Sequence, residues 1–246
     1  MSPDRKLRVL VADDEEILRE VLAFEFRRRG HEVVEASNGR EAFDLIAAHP
    51  VDVVVTDIRM PGGDGVELLQ RIKAHDSRLP VVIFITALTD LTVADAYDMG
   101  VEAIFSKPFD RKALLAVVER LSLPVLERLS TPPSTREVAA EVVREHPDPA
   151  TARTEHAFAL GRGGFFTGDP TGVPAEGGSV MFRIRLGPAE EPPLAGVGVV
   201  RWRRERPEGG LHAGAGIEFG YLDDAARRRW GPTLSSLVEI PFIPRD

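Results

Sequence analysis

Cysteine is absent from the 246-residue chain, which excludes a disulfide framework, a thiolate zinc site and a cysteine nucleophile. Long apolar runs are absent too. The longest, Pro80–Leu88, is half a membrane span or less, against the roughly 20 residues that a spanning helix needs. Met1–Leu10 lacks the apolar core of a secretory signal, so the expected compartment is the cytoplasm. Nor is there an excess of positive charge. The net charge is −8, with 16 Lys+Arg against 22 Asp+Glu through Ser122 and 15 against 17 beyond it. Neither half is basic enough for broad electrostatic attachment to nucleic acid. What is present is ordinary for folded protein: 43% hydrophobic and 28% charged residues, in a length that fits one to two domains. The 22 glycines and 19 prolines supply loops and a connector.

The first half alternates strand and helix. Leu7–Ala12 is a short apolar run followed by acidic Asp13-Asp14-Glu15-Glu16, after which Ile17, Leu18, Val21, Leu22 and Phe26 recur at helical spacing as far as Gly30. A strand His31–Ala36, a helix from an N-cap at Asn38 to His49, and the run Val51–Thr56 come next. After the turn Met60–Gly65 the pattern gives a helix Val66–Ala74, a strand Pro80–Ile85, a helix around Leu91–Met99, a strand Ala103–Ser106 and a helix Asp110–Leu121. Five strands alternating with five helices predict an α/β doubly wound parallel five-stranded sheet with right-handed crossovers, covered on both faces.

The second half has a different grammar. Residues 123–151 contain Pro124, Pro132, Pro133, Pro147 and Pro149 and read as a linker. Inside it, Ser134–Glu137 has the capping-box pattern and Val138, Val142 and Val143 are spaced for a short amphipathic helix. Short strands with Gly-rich turns follow over Arg153–Leu160, Gly164–Thr167, Val180–Leu186, Ala195–Arg203 and Leu211–Phe219. Phe182, Ile184 and Leu186 alternate with Met181, Arg183 and Arg185, the period of a half-buried antiparallel strand. Asp223 or Asp224 caps a closing helix, with an interruption expected at Gly231-Pro232. The expectation is a small antiparallel β-barrel with a C-terminal helix. The expected organisation is therefore a first domain over 1–122, a linker over 123–151 and a barrel domain over 152–246.

In a doubly wound sheet the functional crevice lies at the carboxyl ends of the strands. Polar residues converge there. Asp13 and Asp14 follow the first strand, Asp57 ends the third, Thr86 ends the fourth and Lys107 ends the fifth. Three carboxylates crowded together repel and raise their pKa values unless a cation intervenes. An all-oxygen ligand set suits Mg²⁺ rather than zinc or copper. A hydroxyl and an ammonium beside such an ion make a site for a phosphoryl group.

Residues 7 to about 121 thereby resemble the receiver domain of two-component response regulators, through Asp13-Asp14, Asp57 followed by Met60-Pro61-Gly62, Thr86-Ala87 and Lys107-Pro108-Phe109. The resemblance implies that Asp57 takes a phosphoryl group from the phosphohistidine of a sensor histidine kinase or phosphotransfer protein. It implies Mg²⁺ held by Asp13, Asp14, Asp57 and the backbone carbonyl of Arg59. Thr86 would hydrogen-bond the phosphoryl group and Lys107 would pair with it, the positioning and charge neutralisation that phosphoryl transfer requires. It also implies a switch in which Thr86 moves toward the phosphoryl group and the aromatic Phe105 turns inward, and a cis Lys107–Pro108 bond. Arg59 and Leu88, two residues beyond Asp57 and Thr86, are placed to tune the phosphate lifetime. A receiver catalyses only its own phosphotransfer and dephosphorylation, so no other enzyme activity is expected. Members often pair through the fourth and fifth strand–helix region, which implies a phosphorylation-dependent homodimer.

The output is read from residues 152–246. A helix-turn-helix needs a helical pair and a basic recognition face; this stretch offers neither, so no DNA partner is expected. An enzyme that makes or cleaves nucleotides would need a larger domain and an acidic metal cluster. Gly163-Gly164-Phe165-Phe166, Val180–Leu186, Gly196–Trp202 and Gly214–Phe219 resemble the PilZ domain, a six-stranded barrel with a C-terminal helix. Many of its members bind cyclic di-GMP through an Arg-x-x-x-Arg segment and an Asp/Asn-x-Ser-x-x-Gly turn. Here Arg128, Arg136, Arg144 and Arg153 are never four apart, and the turn reads Ala159-Leu-Gly161-Arg-Gly-Gly164. Both halves of the motif are lost, so the expected output is a PilZ-like module that binds an unknown downstream protein. The alternative is a phospho-gated cyclic di-GMP effector using Arg153 and Arg162. Arg201, Arg203, Arg204 and Arg206 around Trp202 could clamp an anion or single-stranded nucleic acid. The preferred reading is a barrel strand with Trp202 on its packed side, and Arg227–Arg229 reads as an exposed helix face.

Overall fold

A computed structural model of the chain describes residues 5–87, 91–132, 138, 140–155, 157–237 and 241–246. The chain forms two compact units. One comprises Met1–Leu91 and Met99–Ser122, the other Thr92–Asp98 and Leu123–Asp246.

The N-terminal region runs β1 (Arg8–Ala12), α1 (Glu16–Arg28), β2 (Glu32–Ala36), α2 (Gly39–Ala48), β3 (Val53–Asp57), α3 (Gly65–His75), β4 (Val81–Thr86), α4 (Val93–Asp98), β5 (Ala103–Ser106) and α5 (Arg111–Leu121). The strands form one sheet in the order β2-β1-β3-β4-β5, and each pair is parallel. This is the expected doubly wound architecture. Every residue of β3 and β4 is buried, as required of central strands covered on both faces. Leu22, Ala23 and Phe26 of α1, Leu68, Leu69 and Ile72 of α3 and Leu114, Leu115 and Val118 of α5 supply the apolar cover. Each of the leucine, isoleucine, valine and phenylalanine side chains contributes roughly 1.5–3 kcal/mol by leaving water. Local signals fix the helix starts. The side chains of Asn38, Asp64 and Asp110 accept from the backbone N–H of Glu41, Glu67 and Lys112, satisfying donors that a helix leaves unpaired. Because every pair is parallel, the carboxyl ends of β1, β3, β4 and β5 all lie at one edge of the sheet.

The second unit continues with α6 (Val125–Arg128), β6 (Ala140–His146), α7 (Pro149–Thr154), β7 (Phe158–Leu160), β8 (Gly164–Thr167), β9 (Ser179–Leu186), β10 (Leu194–Arg204), β11 (Gly214–Leu222) and α8 (Asp224–Ser236). Its six strands order as β6-β9-β10-β11-β8-β7, a half-barrel that no described pairing of β6 with β7 closes. Phe158, Phe165, Phe182 and Phe219 form an aromatic centre, with ring centroids 5.1 Å apart for Phe165–Phe182 and 5.5 Å for Phe158–Phe165. Asp223 caps α8 by accepting from the Ala226 N–H at 2.8 Å.

Several expectations for this half are corrected. The sheet is not wholly antiparallel, because β6 runs parallel to β9. The stretch 123–151 is not only a linker, since it contains α6, β6 and the start of α7. Val142 and Val143 lie in a strand rather than a helix; Val142 is buried and Val143 faces out. Pairing with β9 decides this, because a short helix would leave Val142 without a core to enter. The capping-box residues Ser134–Glu137 lie outside the described residues. Arg153 and Thr154 belong to α7, not to a strand, because Asp148 caps a helix opened by Pro149. The closing helix passes through Gly231-Pro232 without a break.

Candidate functional site

The carboxyl ends of β1, β3, β4 and β5 bring Asp13, Asp57, Thr86 and Lys107 to the same edge of the parallel sheet. Asp13, Asp57 and Thr86 are buried, whereas Asp14 is exposed. One carboxylate oxygen from each of Asp13, Asp14 and Asp57 lies within 4.8 Å of the others. The Lys107 ammonium donates to Asp57 Oδ2 at 2.7 Å, Glu15 Oε1 at 2.9 Å and Asp13 Oδ2 at 3.1 Å. Asp57 Oδ1 accepts from the Arg59 N–H at 3.3 Å, and Asp13 Oδ1 accepts from the Glu15 N–H at 2.9 Å. The Lys107 N–H donates to the Thr86 carbonyl at 2.8 Å, tying β5 to the end of β4.

The local backbone is built for this approach. The Gly65 N–H donates to the Ile58 carbonyl at 2.7 Å, which folds the Met60–Gly65 turn back on the end of β3. A Cβ at Gly65 would lie 2.2 Å from the Asp57 carbonyl oxygen, so only glycine permits the closure. The Lys107–Pro108 bond is cis, as the resemblance implied. Phe105 is half-buried and packs edge-on against Phe109, with centroids 6.1 Å apart.

Burial raises the pKa of the Asp13 carboxyl, against the opposing effect of its bonds to the Glu15 N–H and Lys107. Burial also pulls the Lys107 ammonium down, but its hydrogen bonds to Asp57, Glu15 and Asp13 prevail and hold its pKa above the ordinary lysine value. A desolvated acidic pair that gathers a cation is the arrangement a hard divalent ion would join. The donor set is all oxygen, and the three carboxylates are close enough to share one ion, so the residues fit Mg²⁺.

Two contributors escaped the sequence reading. Glu15 is a third acceptor for Lys107, and Arg19 donates to the Asp13 carbonyl at 2.6 Å. Glu15 was open to discovery as the next acidic residue after Asp13-Asp14. Arg19 shows only through helical spacing, one turn into α1. Leu88 lies outside the described residues.

In the second unit, Arg153 is exposed on α7 while Arg162 is buried in the β7–β8 loop. The arginines of β10 are engaged within their own unit. Arg201 pairs with buried Glu218 at 2.6 Å, Arg203 donates to the Val173 carbonyl, and Arg204 donates to the carbonyls of His212 and Arg245. Trp202 is packed, in agreement with the strand reading.

A parallel five-stranded sheet with three carboxylates, a hydroxyl and an ammonium at one edge defines a phosphoryl-accepting signalling domain. Residues 9–119 match the response regulator receiver domain family. The chain is 34% identical over 104 residues to Sporulation initiation phosphotransferase F of Bacillus subtilis (strain 168), covering 42% of this chain and 83% of that protein. It is 37% identical over 113 residues to Regulatory protein AtoC of Escherichia coli (strain K12), covering 46% of this chain but 24% of AtoC. It therefore spans about a quarter of AtoC's length. The solved receiver domain of Francisella response regulator 1452 aligns with 31% identity and a TM-score of 0.45, over 48% of this chain and 97% of that one. The chain belongs to the response regulator receiver family. Its N-terminal region is the receiver domain of a two-component response regulator, phosphorylated on aspartate, which implies a histidine kinase or phosphotransfer protein as donor. Among the described residues no helix is long and apolar enough to cross a membrane.

Proposed function

We propose that Asp57 is the phosphoacceptor. The observation that carries this reading is the Lys107 ammonium, which reaches from the end of edge strand β5 to Asp57 at 2.7 Å and Asp13 at 3.1 Å. One Asp57 oxygen attacks the phosphorus of the donor's phosphohistidine. The new O–P bond forms as the N–P bond breaks, and the nitrogen keeps the electron pair and takes up a proton. Lys107 leaves its carboxylate partners to pair with the phosphoryl oxygens, and the Thr86 hydroxyl donates to them. Asp13, Asp14, Asp57 and the Arg59 carbonyl would hold Mg²⁺, which when bound supplies neutralisation of the phosphoryl charge. Fixed charges aimed at the transferring group are the main contribution a protein makes to this reaction. Thr86 and Phe105 form the switch, and the activity is confined to the domain's own phosphotransfer and dephosphorylation.

We further propose that the second unit is a PilZ-like module whose interactions with a downstream protein depend on the state of Asp57. The dispersal of Arg153 and Arg162, one exposed on a helix and one buried in a loop, supports a protein-interaction output over a cyclic di-GMP site. Phosphoramidate with Mg²⁺ tests the first proposal. Wild type should gain one phosphoryl group that Asp57→Asn does not, and equal labelling of the two would refute the assignment. Calorimetric titration of cyclic di-GMP tests the second, where stoichiometric heat at micromolar ligand would overturn it.

A further inference from the structure

The outer face of β6 and β9 carries apolar surface that nothing in the second unit covers. The two strands run parallel, with Glu141 beside Met181, Val143 beside Arg183 and Glu145 beside Arg185. Alternate residues turn inward, and Val142, Phe182 and Ile184 are buried in the core. The outward residues between them, Glu141, Val143, Met181 and Arg183, are all exposed. Val143 is 46% and Met181 44% exposed, and among the described strand residues no other large apolar side chain is left so open to water. The apolar row extends across the sheet, because Met181 pairs with Val197 of β10 and Val197 with Tyr221 of β11, both half-buried.

The charges on this face are arranged for use by something outside the chain. Arg185 meets Glu145 at 3.6 Å, so that pair is satisfied internally, whereas among the described residues Glu141 and Arg183 take part in no ion pair. The four exposed residues are the corners of a rectangle of about 4.8 Å by about 6.6 Å, the strand spacing by two residues of rise. Val143 and Met181 lie on one diagonal, and Glu141 and Arg183 on the other. A two-fold axis along the apolar diagonal sets Val143 and Met181 each against its own counterpart in a second copy. It also carries Glu141 of each copy to within about 3 Å, in projection, of Arg183 of the other. The patch is complementary to itself in both shape of contact and charge.

We propose that this face binds a second copy of the chain, two-fold about the Val143–Met181 diagonal, with Glu141 and Arg183 pairing twice across the contact. Sheets stacked face to face leave about 10 Å between backbones, which methionine, glutamate and arginine side chains fill. The surface of β6, β9 and β10 measures about 15 Å by about 20 Å, under half of the roughly 800 Å² that each partner gives a stable interface. The dimer is accordingly weak, with a dissociation constant on the order of 100 µM.

The test is sedimentation equilibrium of the full chain up to about 1 mM, ten times that constant, with no phosphoryl donor present, so that the phosphoacceptor assignment does not enter. Wild type should pass from monomer to dimer around 100 µM. Arg183→Glu leaves only acids on the charged diagonal and Glu141→Arg leaves only bases, so each variant alone should dimerise at least about tenfold more weakly. Mixed in equal amounts the two should associate again, at least as tightly as wild type, because each supplies the charge that the other lacks. Met181→Lys, on the axis, should also weaken the dimer at least about tenfold. Near-ultraviolet circular dichroism from Trp202 and Trp230, both in this unit, should match wild type in every variant and show that the fold is kept. Wild type that stays monomeric at about 1 mM overturns the proposal and leaves the face to a different partner. A dimer that survives Arg183→Glu places the contact elsewhere and overturns it too, as does a mixture of the two charge variants that stays monomeric.

Discussion

Removing the Glu102 carboxylate should strongly destabilise the receiver, through a buried ion pair that joins three of its elements. Lys73 of α3 and Glu102, one residue ahead of β5, each have side chains only 2% exposed, with Nζ and Oε1 2.8 Å apart. Lys73 also donates to the Pro80 carbonyl at 3.1 Å, and the second Glu102 oxygen accepts from the Val82 N–H at 2.7 Å. The pair therefore joins α3 to β4 and to the entry of β5. In Glu102→Ala the ammonium is left buried without its counter-charge, at a cost of about 3–5 kcal/mol. The orphaned Val82 N–H alone would cost about 1–3 kcal/mol, much of it already counted in that figure. A loss near 4 kcal/mol takes between about a quarter and about four fifths of the stability of a domain holding about 5–15 kcal/mol. Lys73→Met combined with Glu102→Leu removes both charges and should lose less than about 2 kcal/mol. Trp202 and Trp230 both lie in the second unit, so tryptophan fluorescence follows that unit. Hydrogen exchange of the β1, β3 and β4 amides across a urea series is the suitable assay. A Glu102→Ala chain within about 1 kcal/mol of wild type, or a double variant less stable than either single one, would refute the reasoning.

Other perturbations have equally definite outcomes. Lys107→Met should slow phosphoramidate labelling about 100-fold, the usual cost of deleting one preorganised charge-stabilising donor, measured as single-turnover rates with Mg²⁺ present. Gly65→Ala forces a methyl against the Asp57 carbonyl oxygen and should destabilise the receiver by about 2–4 kcal/mol, read by the same amide exchange. Asn38→Ala removes the α2 cap and should cost about 1 kcal/mol with labelling unchanged. Burial lowers the pKa of His31 below its ordinary 6.5, so the unfolded chain binds a proton that the folded receiver resists. The His31 contribution to stability is complete above pH 6.5 and is lost as pH falls through the lowered folded value. His31→Gln should flatten the decline in receiver stability between pH 7.5 and 5.

The residues that were legible in the sequence are those whose meaning is local. An apolar run followed by Asp13, another ended by Asp57 and a third by Thr86 place their chemistry at strand ends by alternation alone, and Asn38 and Asp110 mark helix starts through bonds spanning three residues or fewer. Fold and site in the first half follow from such signals. The second half depends on partners distant in the chain. Val142 becomes a core residue only because β6 lies beside Phe182 of β9, a pairing across 40 positions that no window of sequence contains. Its alternating buried and exposed pattern was present but was outweighed by the prolines on either side. Arg153 was misplaced for a different reason. Asp148-Pro149 is a local start signal for a helix, and the strand expectation overran it. The glycines at 161, 163 and 164 are the sharpest case. Read locally, they are a nucleotide-binding turn that has lost its polar residues. Set against Phe242, roughly 80 positions later, Gly161 and Gly163 are the space an aromatic ring and its backbone require, while Gly164 admits the close approach of the Ile217 carbonyl of β11. The loss of a ligand motif and the gain of a packing seat look alike in one sequence, and the segment that fills the seat is what separates them.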